Sequence, residues 1–132
     1  MIVYKRDFSF SKEDAQRLFL SVEWHSGNYP DMLYKALRNY PTLITAYDGD
    51  KLVGLSATMD DGIMNAYIHY LLVDPEYQGQ GIGKKLMEMT NEVYKDYVNV
   101  VLISYNDKIE FYEKCNYYFN TEQCAMRLNN GR

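Results

Sequence analysis

The sequence predicts a mixed α/β fold, a layer of strands flanked by helices, on three observations. Strand-like and helix-like stretches interleave in the order β-α-α-β-β-β-α-β-α-β. Hydrophobic residues make up 47% of 132 residues and charged residues 24%, enough apolar material for one core. No linker, repeat or low-complexity tract divides the chain, so residues 1–132 are expected to form a single domain.

Ile2 to Phe8 mixes apolar and charged residues and reads as a first strand. Ser11-Lys12-Glu13-Asp14 resembles a capping box, with an acid reaching back from the third helical position, and Ala15, Leu18, Phe19 and Val22 follow at helical spacing. Trp24 to Pro30 is a loop carrying two large aromatics, after which Asp31 to Asn39 reads as a second helix. Thr42 to Tyr47 and Lys51 to Thr58 flank Asp48-Gly49-Asp50 as a hairpin, and Asp60-Asp61-Gly62 is a further turn. Ile63 to Val73 is a long strand stopped by Asp74-Pro75, because proline donates nothing to a ladder. A helix is expected from about Gly83 to Tyr94, with Ile82, Leu86, Met89 and Val93 as its buried stripe. Val98 to Ser104 is expected as a buried strand, Asp107 to Cys115 as a short helix, and Tyr118 to Leu128 as a last strand or strand pair.

Composition excludes several classes of function. Fourteen Lys and Arg against eighteen Asp and Glu give a net charge of −4, against a nucleic-acid module with a basic face. No apolar run approaches a membrane span, and the charged residues near the N-terminus leave no signal-peptide pattern. Cys115 and Cys124 make no disulfide framework, and His25 and His69 are not spaced as metal ligands, so a cytoplasmic protein with reduced thiols and no metal is expected. Fourteen tyrosines are the oddity: rings with an apolar body and a polar tip can line a cavity as well as fill a core.

The segment Val73–Lys85 carries the most chemistry. A strand ends, the chain turns through Gly79, Gly81 and Gly83, and a helix begins, so several amides can point into one concavity at the positive end of a helix. The dinucleotide fingerprint fails because Lys84 stands three residues after Gly81. The P-loop fails because Gln78 stands five before Gly83 and Lys85 follows Lys84. Gln78, Gly81 and Gly83 do fit Q-x-x-G-x-G after an apolar strand ending in Val73-Asp74-Pro75, and this resembles the pyrophosphate-binding motif of the GNAT superfamily of acetyl-coenzyme A-dependent N-acetyltransferases. Phe111-Tyr112-Glu113-Lys114-Cys115-Asn116-Tyr117 is similar to a second block of that family, with Asn116-Tyr117 where Gly-Phe is usual. The resemblance implies a central, mostly antiparallel twisted sheet with splayed fourth and fifth strands and helices on both faces. It also implies acetyl-CoA held by Gln78, Gly79, Gln80, Gly81, Ile82, Gly83 and Lys84, with main-chain groups of Leu71, Leu72 and Val73 along its pantetheine arm and the thioester carbonyl near Leu72. A fixed amide donor there would stabilise the charge that develops on the carbonyl oxygen.

The same resemblance places Tyr112 as the general acid for the departing thiolate, a role suited to a phenol that stays protonated at neutral pH. His69 is the candidate base, since imidazole titrates where an ammonium must lose its proton. Two-residue alternation puts His69 with Tyr67 and Leu71 on one strand face, and Ile68, Tyr70 and Leu72 on the other. Trp24, Tyr29 and Tyr67 are candidates for lining the acceptor pocket, while Asp60, Asp61 and Glu23 are acids that could attract a cationic amine. The expected acceptor is a small amine, with no nucleic-acid or membrane partner, and exposed aromatic strands are compatible with a homodimer. A non-catalytic acyl-CoA-binding module and a protein N-terminal or lysine acetyltransferase are the alternatives.

Overall fold

The computed structural model describes residues 1–131, as two compact units, Met1–Leu102 and the stretch from Ile103 onward. In the first, β1 (Ile2–Lys5) leads to α1 (Lys12–Ser21), a single 3-10 turn at His25–Asn28, and α2 (Pro30–Leu37). Then come β2 (Thr42–Asp48), β3 (Lys51–Asp60), β4 (Asn65–Val73), α3 (Ile82–Val93) and β5 (Asn99–Leu102). The strands form one sheet in the order β1-β2-β3-β4-β5, antiparallel throughout except for the parallel β4–β5 pair.

Local chemistry sets the helix boundaries. The capping box at α1 forms in both directions, with the Asp14 amide donating to Ser11 Oγ at 3.1 Å and the Ser11 amide donating to Asp14 Oδ2 at 3.0 Å. Pro30 opens α2, where its missing amide costs nothing. Two apolar layers sandwich the sheet. Leu18, Phe19, Leu33, Leu37 and Tyr40 from the α1–α2 side pack on Leu43, Leu55, Ala57 and Leu72, whereas Ile82 and Leu86 of α3 pack on Ile44, Ala46 and Val53. Gly54 lets α3 approach closely, since a Cβ there would stand 3.2 Å from both Ile82 Cγ2 and Leu86 Cδ1.

The β3–β4 register slips between Ala57 and Thr58: Ala57 pairs with Tyr70 and Thr58 with Ile68, a β-bulge at His69. The expected alternation fails at this point. An extra residue changes the parity, so Tyr70 shares the α1–α2 face with His69, and Leu71 turns to the α3 face. β5 also differs from expectation. As the last strand in the sheet order it is short, and Val98, Val101 and Ile103 are exposed rather than buried.

The second unit holds a 3-10 turn at Asn106–Lys108 and α4 (Ile109–Glu113). Asn116 ends that helix in the left-handed region at φ +73, where glycine is usual, and the Tyr117 amide donates back to the Tyr112 carbonyl at 3.0 Å. The expected strand from Tyr118 to Leu128 is absent from the described residues. Asn120 instead organises a local turn, its side chain accepting the Glu122 amide at 3.1 Å and donating to the Gln123 side chain.

Candidate active site

Three neighbouring features of the first unit converge on β4. The first is an open edge. Pairing with β5 stops at Ile68–Leu102, while β4 runs on to Val73 with β3 alone as its partner. The Asp74 amide donates to the Val53 carbonyl at 2.8 Å, so the alternation of an antiparallel ladder turns the Leu72 main chain toward β3 as well. Leu71 and Val73 therefore direct their N–H and C=O groups to the open edge. The open edge beside Leu72 thus carries the main-chain groups of its two neighbours.

The second feature is the turn from β4 into α3. Asp74 is 6% exposed, accepts the Glu76 amide at 2.9 Å and sits 3.6 Å from Arg17 and 3.7 Å from Lys51, which fixes the start of the turn. Gln78 Nε2 donates to the Val73 carbonyl at 3.0 Å. Gly79 and Gly81 then take φ values of +80 and +82, and a Cβ at either would meet nothing within 4 Å. Gly81 caps α3 with no side-chain hydrogen bond, so the first-turn amides of Ile82, Gly83 and Lys84 keep no side-chain acceptor. The cradle is exposed at Gln78, Gly79, Gln80, Gly81 and Lys84; Gly83 is half-buried, and the Ile82 side chain is core, leaving only its backbone for a ligand. Such a turn suits an anion.

The third feature is an aromatic cluster on the α1–α2 face. The His69 ring stacks on Tyr70 at 4.1 Å and on Tyr67 at 5.4 Å, and Tyr40 Oη lies 2.5 Å from His69 Nδ1. Trp24 reaches the cluster through Tyr70 at 5.8 Å, with Phe19 at 4.9 Å from the same ring. Burial above all, then the neighbouring Tyr70 and Tyr67, pushes the Tyr40 phenol well above its ordinary pKa, so it keeps its proton across the working range. Tyr29 pairs instead with His25, ring to ring at 5.1 Å, at the exposed 3-10 turn.

Asp60 and Asp61 have structural partners. Asp61 accepts the amides of Ile63, Met64 and Asn65, which holds its carboxyl well below the usual range, and Asp60 accepts the Tyr94 hydroxyl at 2.6 Å. Glu23 is exposed at φ +60. In the second unit, Tyr112 is half-buried on α4 beside Phe111, and burial first, then the Cys115 thiol, pushes its pKa up to about 12.

Tyr40, Tyr70 and Ser26 are the residues that sequence reasoning missed. Tyr40 is 29 positions from its histidine, and no local pattern marks it. Among the described residues, no cluster of three or more His, Cys, Asp or Glu could hold a metal ion, and no helix is long and apolar enough to cross a membrane.

A five-stranded sheet that parts at its one parallel pair, beside a glycine-rich helix N-terminus, is the acetyltransferase class of fold. The family model for the acetyltransferase (GNAT) domain matches residues 39–118, and the chain belongs to that family. A solved GNAT-family acetyltransferase of Streptococcus pneumoniae superposes with a TM-score of 0.83 and 30% identity, covering 100% of this chain and 99% of that one. An Arabidopsis thaliana chloroplastic protein named as a GCN5-related N-acetyltransferase is 36% identical over 74 residues, 54% of this chain and 29% of its own length. A Glycine max protein named as a histone acetyltransferase is 35% identical over 74 residues, 54% of this chain and 32% of its own length. The chain thus spans about a third of these plant relatives. Acetyl-CoA is the family's co-substrate.

Proposed function

We propose that the chain is a cytoplasmic N-acetyltransferase that passes acetyl from acetyl-CoA to a primary amine of a small molecule, by direct attack with both substrates bound, and that residues 1–132 act as one catalytic domain. The observation that carries this reading is the continuity of the open β4 edge at Leu71 and Val73 with the cradle from Gly79 to Lys84. An edge of main-chain groups outside the ladder, of which the Val73 carbonyl is held by Gln78 Nε2, suits an amide-bearing arm, and a nest of amides suits a pyrophosphate. The residues present therefore fit coenzyme A. Bound acetyl-CoA supplies an acyl group whose C–S bond breaks as the new C–N bond forms.

The chain's own groups handle the protons. His69 accepts the proton of the attacking amine on its imidazole, while the Tyr112 hydroxyl, held protonated by its raised pKa, gives a proton to the leaving sulfur. Amides at Leu71 or Val73 face the carbonyl oxygen as charge grows on it. Trp24 and Tyr67 belong to the aromatic cluster around His69 and form the apolar wall for the acceptor, with Tyr29 at its exposed margin.

Thiol release from acetyl-CoA across a panel of arylalkylamines, polyamines and peptides with free N-termini or lysines tests the reading. Turnover with a small amine is expected. Turnover with peptides alone would move the acceptor to protein, as the name of the soybean relative suggests for that protein. Tight acetyl-CoA binding with no thiol release on any amine would leave a binding module.

A further inference from the structure

A neutral histidine carries its proton on one ring nitrogen and its lone pair on the other, and the hydrogen bond made by one nitrogen decides which. In a free histidine the proton sits mostly on Nε2. At His69 a neighbour intervenes. Tyr40 Oη lies 2.5 Å from Nδ1, with the two rings 6.0 Å apart and tilted at 44°. Stacking also holds the imidazole, with Tyr70 at 4.1 Å and Tyr67 at 5.4 Å. Tyr70 is kept in place by Ser26 Oγ, 3.0 Å from its hydroxyl, and by the edge of Phe19 at 4.9 Å. Tyr40 is anchored too. It is 7% exposed, it belongs to the core cluster of Leu37 and Leu43, and Pro41 follows it ahead of β2.

We propose that Tyr40 is the positioning residue for His69: its hydroxyl oxygen accepts the Nδ1 proton, so the neutral ring keeps its lone pair on Nε2 for the proton of the attacking amine. This rests on the reading of His69 as the base. A phenol oxygen accepts as well as donates, and burial keeps the Tyr40 proton in place across the working range. When the amine nitrogen gives its proton to Nε2, the ring becomes imidazolium, the Nδ1–H bond stays intact, and Tyr40 neither gains nor loses a proton. The hydrogen bond is then charge-assisted and stronger, which favours the protonated ring and raises its pKa. Tyr40 donating to Nδ1 would do the opposite. It would put the ring proton on Nε2, favour the neutral ring and lower its pKa. The titratable side chains set against the imidazole are Tyr40, ahead of β2, and Tyr67 and Tyr70 from β4 itself. β3 presents Ala57 and Thr58 beside the bulge, and Phe19 and Trp24 reach Tyr70 without bringing a charge.

Tyr40→Phe removes the oxygen and keeps the ring that fills the core. The acidic limb of kcat/KM set by His69 should move down by about one pH unit, since the imidazolium loses a charge-assisted partner. On the plateau kcat should fall on the order of tenfold as the tautomers redistribute, with KM for acetyl-CoA unchanged. The acceptor amine's own ionisation is common to both enzymes and cancels. Loosened packing alone would let water reach the ring and raise its pKa, so a merely structural role moves the limb the other way. Nitrogen-15 NMR of the imidazole reads the tautomer without turnover, with His69→Ala separating its signals from those of His25. The neutral wild-type ring should carry its proton on Nδ1, and in Tyr40→Phe the proton should move largely to Nε2. A limb that stays or moves up, or a wild-type ring protonated on Nε2, overturns the proposal. His69→Ala separates the two ideas: loss of the limb there, beside an unmoved limb in Tyr40→Phe, keeps the base and removes the part of Tyr40. A limb still present in His69→Ala removes the base and the part of Tyr40 with it.

Discussion

Gly81→Val is the sharpest probe of the cradle because the site is free of steric confusion. A Cβ at Gly81 would meet nothing within 4 Å, so any penalty comes from backbone conformation alone. At φ +82 an ordinary L residue is disfavoured by about 1–2 kcal/mol, and a β-branched one by more, so the turn relaxes toward negative φ and the amides of Ile82, Gly83 and Lys84 lose their common aim. Acetyl-CoA must then restore the turn as it binds. Affinity falls by at least the conformational cost, and about 1.4 kcal/mol corresponds to tenfold in Kd. Gly49→Val supplies the control. It has φ +60, open space around a Cβ and a place in the β2–β3 turn, but no part in the cradle. Titration calorimetry with coenzyme A should show Kd raised about tenfold or more in Gly81→Val and unchanged in Gly49→Val, with both melting a few degrees lower. Wild-type affinity in Gly81→Val would refute the assignment of these amides to the pyrophosphate.

Tyr112→Phe should lower kcat about 100-fold while leaving the Kd of coenzyme A near wild type, read by stopped thiol release and calorimetry on the same preparation. With the phenol pushed up to about 12, wild-type kcat should show no alkaline limb from this group below about pH 11, and a limb near pH 10 would remove it as the acid. Asp61 gives an acid-stability prediction with a definite sign. Its folded pKa is depressed chiefly by three backbone amides, so its contribution is present above the unfolded value of 3.8 and is lost as pH falls below it. Asp61→Asn should therefore lower Tm at pH 7 and narrow the drop in Tm between pH 7 and pH 3, whereas an identical drop would show the loop indifferent to this carboxylate.

Elements marked by local chemistry were legible in the sequence, and those decided at a distance were not. Ser11 and Asp14 predict their own capping box because both partners lie within one helical turn. The glycine turn is legible for the same reason: positive φ at Gly79 and Gly81 is a property of the residues themselves. The boundaries of β4 were misjudged by two residues, Asn65 rather than Ile63, because Asp61 gathers the amides of Ile63 and Met64 before the strand begins. The burial of β5 was misread because a run of Val, Ile and Leu looks the same in a central strand and at the end of a sheet. Tyr40 was invisible because its chemistry depends on His69, across the α2–β2 connection and two strands.

The bulge is the deepest of these omissions, because period-two reading of β4 has no way to detect an extra residue, yet the candidate site depends on it. Before the bulge, β4 pairs with strands on both sides and its residues serve the sheet. After it, β4 has one partner, and the main chain of Leu71 and Val73 is turned to the open edge. A regular strand that continued the register of Ala66–Ile68 would place those two residues on the other parity, with the Leu72 main chain at the edge and Tyr70 on the α3 face. One inserted residue thus sets which main-chain groups reach the open edge and which phenol packs beside Tyr40. The bulge falls at His69, whose ring packs against Tyr40, Tyr67 and Tyr70. The His69–Tyr40 contact and the main-chain edge both follow from where this one local irregularity falls. Deleting His69 restores regular pairing with Tyr70 still opposite Ala57 and Leu71 opposite Ser56. The deletion should therefore leave coenzyme A affinity near wild type in calorimetry, and a loss of affinity would show that the edge depends on the bulge itself.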